Sequence, residues 1–157
     1  MLLIFPYFLI ITIDGSAFIL EEVKEGLLQW FSDKSLQRSS RIHIAMNLPA
    51  MAISFLHNFL CLFKEAETKH LNVIDHTRLP IVHVYAFSKA ENQKSDLKSQ
   101  CEEELRTTLE DLQIQFVRNV SPNKDMFRIS IPLNLNILCD KREINEYGGN
   151  KRQKLNE

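Results

Sequence analysis

The chain has 157 residues, 45% of them hydrophobic and 25% charged, with 19 Lys plus Arg against 20 Asp plus Glu and a net charge of -1. This describes a globular protein of about one domain with enough apolar mass for a core, not a disordered polyelectrolyte. It also excludes a global basic field that would announce nucleic acid, so any RNA contact has to be local.

Residues 1–13, MLLIFPYFLIITI, are an apolar run without a basic n-region, too short to span a bilayer and interrupted by Pro6. They predict an irregular start followed by a buried strand over Phe8–Ile13. A cleaved signal with Gly15-Ser16-Ala17 as the small-residue site is the competing reading. Asp14-Gly15 is a turn signal. Over Phe18–Phe31 the apolar residues Leu20, Val23, Leu27, Trp30 and Phe31 follow one helix face, and the polar loop SDKSLQRSS comes next. Arg41–Met46 predicts a second strand. It stops at Asn47-Leu48-Pro49, because proline has no backbone donor and restricts the residue before it.

Ala50–Phe63 predicts a helix apolar on nearly every side, the pattern of one buried on both flanks or pressed against a protein partner. Lys64–Arg78 is polar and reads as a surface loop. Ile81–Phe87, IVHVYAF, is a third strand. Asp96–Leu109 carries Leu97, Cys101, Leu105 and Leu109 at a spacing of four, the narrow stripe of an outer helix lying on a sheet. Gln113–Val120 and Met126–Ile131 are two strands whose short connection makes them antiparallel neighbours, whereas strands joined through helices are parallel. Arg118, Asn119, Asn123 and Lys124 around that hairpin read as a solvated turn in preference to a phosphate patch. Residues 138–157 are polar and read as a disordered tail, so the folded domain is expected over 1–137. Five Lys or Arg in KREINEYGGNKRQKLNE hint at a nuclear signal.

Cys61, Cys101 and Cys139 are odd in number and never form C-x-x-C, which argues against a disulfide framework or a zinc site and suits reduced intracellular thiols. The histidines do not cluster: His43 and His83 lie in strand-like runs, and His57, His70 and His76 in a helix and a loop. They read as ordinary residues, and no metal site is expected.

Alternating strands and helices closed by a hairpin imply an α/β fold with a mostly parallel, covered sheet. In such sheets ligands bind beyond the carboxyl ends of the strands. The residues there are Asp14-Gly15, Asn47-Leu48-Pro49 and Ser88-Lys89.

Together, IDGSAFI, HIAMNLPAMAISFL, HVYAFSK and FVRNVSPNKDMFRISI, in this order, resemble the C-terminal part of the eukaryotic and archaeal tRNA (guanine-N1)-methyltransferase family, over roughly residues 11–133. The resemblance implies the C-terminal part of a Rossmann-like methyltransferase sheet, with three parallel strands and their helices followed by the antiparallel hairpin. It implies S-adenosylmethionine as cofactor and tRNA as substrate, the target being N1 of the guanosine beside the anticodon. By position, Asp14, Gly15 and Asn47 would be cofactor-binding, and Asn47 with Pro49 substrate-binding. The residue types suit those roles: a carboxylate accepts from the adenine amine, glycine lets a cofactor approach the backbone, and an amide pairs with a guanine edge. Taken alone, Asp14-Gly15 is also an ordinary turn and Asn47 an ordinary helix cap.

The family's glycine-rich turn, ribose-holding acid, tRNA-binding module and proton-removing Arg and Glu lie upstream of the matched motifs. No catalytic residue is therefore expected here, and the chain is expected to be truncated and inactive alone. Ser16-Ala17 stands where the family tends to have polar or charged residues. Two alternatives carry the same features: a non-enzymatic interaction protein using the helix at 50–63, and a related wybutosine-pathway tRNA transferase. The family's compartments, cytoplasm, nucleus and mitochondrial matrix, are all expected possibilities, and no membrane association is.

Overall fold

The computed structural model describes residues 2–4, 7–9, 14–32, 41–64, 67, 79–122 and 124–139. Two short strands, β1 (Leu2–Ile4) and β2 (Tyr7–Leu9), pair antiparallel with Leu2 opposite Leu9. The strand expected over Phe8–Ile13 is therefore not what the structure shows at its start, and residues 10–13 lie outside the described residues.

A helical segment follows in three parts: α1 (Gly15–Phe18), a π-helical stretch (Ile19–Val23) and α2 (Lys24–Ser32). Ile19, Val23 and Leu27 are buried, while Leu20 is 48% exposed. This corrects the expectation that Leu20 faces the core. In a π turn the bonding reaches i+5, so each turn takes up more than 3.6 residues and a strict spacing of four stays on one face.

Strand β3 (His43–Met46) pairs parallel with β4 (Ile81–Ser88), from His43 opposite Ile81 to Met46 opposite Val84. Between them the expected helix over 50–63 reduces to a 3-10 helix, Ile53–Phe59. Leu60 is extended and Cys61 takes a left-handed φ of 52°. Beyond it, Cys61 N donates to Ile137 O and Phe63 N to Leu138 O, at 2.8 and 2.9 Å. Backbone pairing with the C-terminal segment thus satisfies groups that a longer helix would have bonded internally.

Helix α3 (Gln93–Glu104) carries the stripe Leu97, Cys101, Leu105 and Leu109, all buried as expected. It ends five residues earlier than the periodicity suggests. Arg106 adopts a left-handed φ of 48°, and the bonds Arg106 N to Glu103 O and Thr107 N to Glu102 O, both 3.2 Å, close a Schellman motif. Leu105 and Leu109 reach the core from that cap and loop.

The antiparallel hairpin forms from β5 (Gln113–Ser121) and β6 (Lys124–Pro132), followed by one turn of helix, α4 (Leu135–Leu138). β6 inserts between β4 and β5, giving the order β3-β4-β6-β5. Among the described residues the sheet holds two parallel strands, not three. Leu138 and Cys139, placed in the polar tail by the sequence, are buried in the core; residues 140–157 lie outside the described residues.

Period-two alternation sorts the sheet into two faces. Ile44, Val82, Val84, Ala86, Phe127, Ile129 and Ile131 point to the side where the helices lie, and with Leu27, Leu56, Phe59 and Leu97 they form one core. The opposite face presents His43, His83, Tyr85, Arg128 and Ser130, all partly or fully exposed. No described helix covers it.

Candidate functional site

Asn47 sits where β3 ends, at the carboxyl end of a parallel strand. It is exposed, and its amide forms no hydrogen bond with any described residue. The turn after it is closed by the backbone instead: Leu48 O accepts from Met51 N and Ala52 N, each at 2.8 Å. The 3-10 helix starts without a side-chain cap. The capping alternative for Asn47 is therefore excluded, and both ends of the amide stay open to an external partner. Beside it Leu48 and Met51 are each 51% exposed, while Pro49 is half-buried.

Asp14 does cap a helix. Its Oδ1 accepts from Ser16 N at 2.9 Å and Ala17 N at 3.3 Å, so the expected turn at Asp14-Gly15 is the first turn of α1. Both bonds go to one carboxylate oxygen, which leaves Oδ2 without a bond among the described residues. Gly15 also stands in close contact with the 3-10 helix. A Cβ built on it would meet the ring of Phe55 at 3.0 to 3.3 Å. One residue on, Ser16 Oγ accepts from Asn58 Nδ2 at 3.2 Å, and the same buried amide nitrogen reaches Phe55 O at 3.1 Å. The 3-10 helix that follows Asn47-Leu48-Pro49 is thus braced against the Asp14 turn. No hydrogen bond joins Asp14 to Asn47 themselves among the described residues.

At the end of β4, Ser88 is structural. It is buried; its Oγ donates to Asp96 Oδ2 at 2.6 Å and accepts from Ala90 N at 3.1 Å, tying the strand end to the first turn of α3. The hairpin is likewise tied internally. Asn119 Nδ2 donates to Asp125 Oδ1 at 2.8 Å, and Lys124 Nζ lies 4.2 Å from the centre of the Phe87 ring. Those contacts agree with a turn.

Among the described residues, hollows open beside the sheet. One of about 340 Å³ touches Pro49, Met51, Phe87, Glu103 and Glu104. Its carboxylate rim opposes phosphate, and neither Asp14 nor Asn47 lines it. The other, about 760 Å³, runs from the opposite ends of β3 and β4, beside Arg41, Ile81 and Pro132, onto the sheet face at His83, Arg128 and Ser130, away from the strand ends where ligands of open sheets bind.

Sequence reading passed over His43 and His83 as ordinary strand residues. The structure brings them together: His43 Nδ1 lies 2.8 Å from His83 Nε2, and His83 Nδ1 3.0 Å from Ser130 Oγ. Only the register of β3 on β4 could have paired them. Burial above all, with the charges of His43 and Arg128, holds His83 below the usual imidazole range. No group of three or more metal-ligating side chains occurs among the described residues, and no described helix is long and apolar enough to cross a membrane.

Comparison with curated proteins places this geometry in context. A Drosophila pseudoobscura pseudoobscura tRNA (guanine(37)-N(1))-methyltransferase is 42% identical over 144 residues, which is 88% of this chain and 32% of the relative. This chain is similar to tRNA (guanine(37)-N(1))-methyltransferases. A Xenopus tropicalis methyltransferase of that name is 39% identical over 82% of the chain and 25% of its own length, and a Danio rerio one 34% identical over 90% and 28%. The chain spans about a third or less of the curated methyltransferases it matches. No family model and no solved structure matches it.

Proposed function

We propose that Asp14, Gly15 and Asn47 belong to an S-adenosylmethionine site, that Asn47 and Pro49 also face a guanine of tRNA, and that the sheet is part of a Rossmann-like methyltransferase domain. One observation carries the reading: an unbonded Asn47 amide at the carboxyl end of a parallel strand, in a chain 42% identical over 144 residues to a curated tRNA methyltransferase.

The residues fit the cofactor's chemistry. Asp14 Oδ1 is committed to the helix cap, while Oδ2 remains to accept from an exocyclic amine of adenine. The close approach of Gly15 to Phe55 seats the turn that carries this carboxylate against the 3-10 helix. The cofactor supplies an electrophilic methyl group. Asn47 can donate and accept along a guanine edge without adding charge, and Pro49 stiffens the loop that presents it. N1 of guanine must lose its proton for its lone pair to react. Among the described residues no acid or base is hydrogen-bonded to Asn47, so the part proposed for Asn47 is to bind and orient the guanine.

Calorimetric titration with S-adenosylmethionine tests the reading. Binding by the wild type that is lost in Asn47→Ala supports it; a wild-type chain that binds nothing sinks it. A methylation assay on unmodified tRNA transcript is expected to show no turnover by the 157-residue chain, and turnover would refute that expectation.

A further inference from the structure

Three side chains on the uncovered face of the sheet form a continuous hydrogen-bonded chain across β3, β4 and β6: His43, His83 and Ser130. The two imidazole planes are within 3° of parallel and their centroids are 5.1 Å apart. That separation exceeds the 2.8 Å gap between facing nitrogens by a ring radius on each side. The rings therefore meet edge to edge in one plane, with the N–H of one aimed at the lone pair of the other.

Proton content decides whether this bond exists. Two neutral rings place one hydrogen between the facing nitrogens. One added proton leaves that hydrogen in place and makes the bond charge-assisted. A second puts N–H on both facing nitrogens, and the bond becomes a repulsion between like charges. What it fastens is short: β3 has four residues and, in the four-stranded sheet, pairs with β4 alone.

From this geometry we infer that His43 and His83 form a proton-controlled latch on β3, closed with none or one added proton and opened by the second, which sets how firmly the Asn47–Pro49 loop is held at the sheet. The surroundings oppose the second proton. Arg128 of β6 faces the same space, its guanidinium held by Gln115 of β5, and burial with the His43 and Arg128 charges already disfavours the cationic form of His83. The groove that His83 and Ser130 line also holds Arg41, which adds to the opposition, and the carboxylates Glu110 and Asp111, which act in the opposite sense. Tyr85, next along β4, presents its hydroxyl on the same face, and β1, which approaches β3, contains no titratable residue.

Imidazole nitrogen NMR on the full chain from about pH 8 to about pH 4.5, with amide exchange read alongside, tests the latch. Two coupled steps are expected, the second displaced to lower pH. As that second proton is taken up, exchange of the β3 amides should rise relative to those of β6, by about tenfold per pH unit. In His43→Gln that extra rise should disappear, while Ser130→Ala, beyond the facing nitrogens, should keep it. Independent titration of the two rings near the ordinary value, or β3 exchange that tracks β6 throughout, overturns the latch. The wild-type titration decides the matter even where a variant fails to fold.

Discussion

The ring of Phe55 occupies the space where residue 15 would carry a Cβ: an atom built there meets Phe55 Cζ at 3.0 Å. Gly15 has no positive φ, so contact and not backbone conformation favours the glycine. A Gly15→Val chain has to push the ring out of its packing. It should lose about 1–3 kcal/mol in urea melts, as overpacked sites do. Phe55→Leu should recover part of that loss, and a valine variant as stable as wild type would show that the contact is not tight.

The capping and ligand roles of Asp14 can be separated. Asp14→Ala removes the acceptor for Ser16 N and Ala17 N, with an expected cost of about 0.5–2 kcal/mol. Asparagine caps nearly as well, so Asp14→Asn should keep the stability. If Oδ2 accepts from adenine, calorimetry should find weaker S-adenosylmethionine binding in this variant too, because it has lost a charged acceptor. Undiminished affinity would leave Asp14 as a cap alone.

Ser88 both donates and accepts within a buried site. Ser88→Ala strands Ala90 N and removes a donor from Asp96, and should cost about 1–3 kcal/mol in thermal or urea unfolding. A near-neutral result would mean that water replaces the hydroxyl.

The three thiols should react in distinct classes. Cys61 is exposed, whereas Cys101 and Cys139 are buried. Burial, with the Glu102 and Glu104 charges, pushes the Cys101 thiol up to about 12, leaving almost no thiolate near neutrality. Iodoacetamide followed by peptide mass analysis should label Cys61 first, and Cys101 only after denaturant is added. Early labelling of Cys101 would contradict the packing of α3.

Stability should also fall in mild acid. His83 is held below its ordinary value of 6.5, so the fold prefers the neutral ring. Its contribution is fully present above the unfolded value and is lost as the pH drops from there toward the folded one. Urea melts should show this decline in the wild type and a shallower one in His83→Gln. Equal slopes would remove His83 as the cause.

Much of the fold is legible in the residue pattern because it follows from local spacing. The stripe Leu97, Cys101, Leu105, Leu109 announced an outer helix face, and the short connection after Val120 announced the hairpin. Both arise within one or two neighbouring elements. The helix over 50–63 failed because its backbone found partners far away, in Ile137 and Leu138, which no local propensity records. Leu20 failed because a π turn altered the period on which the reading depended.

The candidate site divides in the same way. Sequence alone determined that Asp14-Gly15 and Asn47-Leu48-Pro49 stand at element boundaries, and their order with the later motifs pointed to methyltransferases. Tertiary structure alone decided that Asp14 caps a helix while Asn47 does not, that Gly15 makes room for Phe55, and that His43 meets His83. Residue type and spacing fix what a side chain can bond. Which partner it meets depends on strand register and helix packing, and these are settled by contacts between residues distant in the chain.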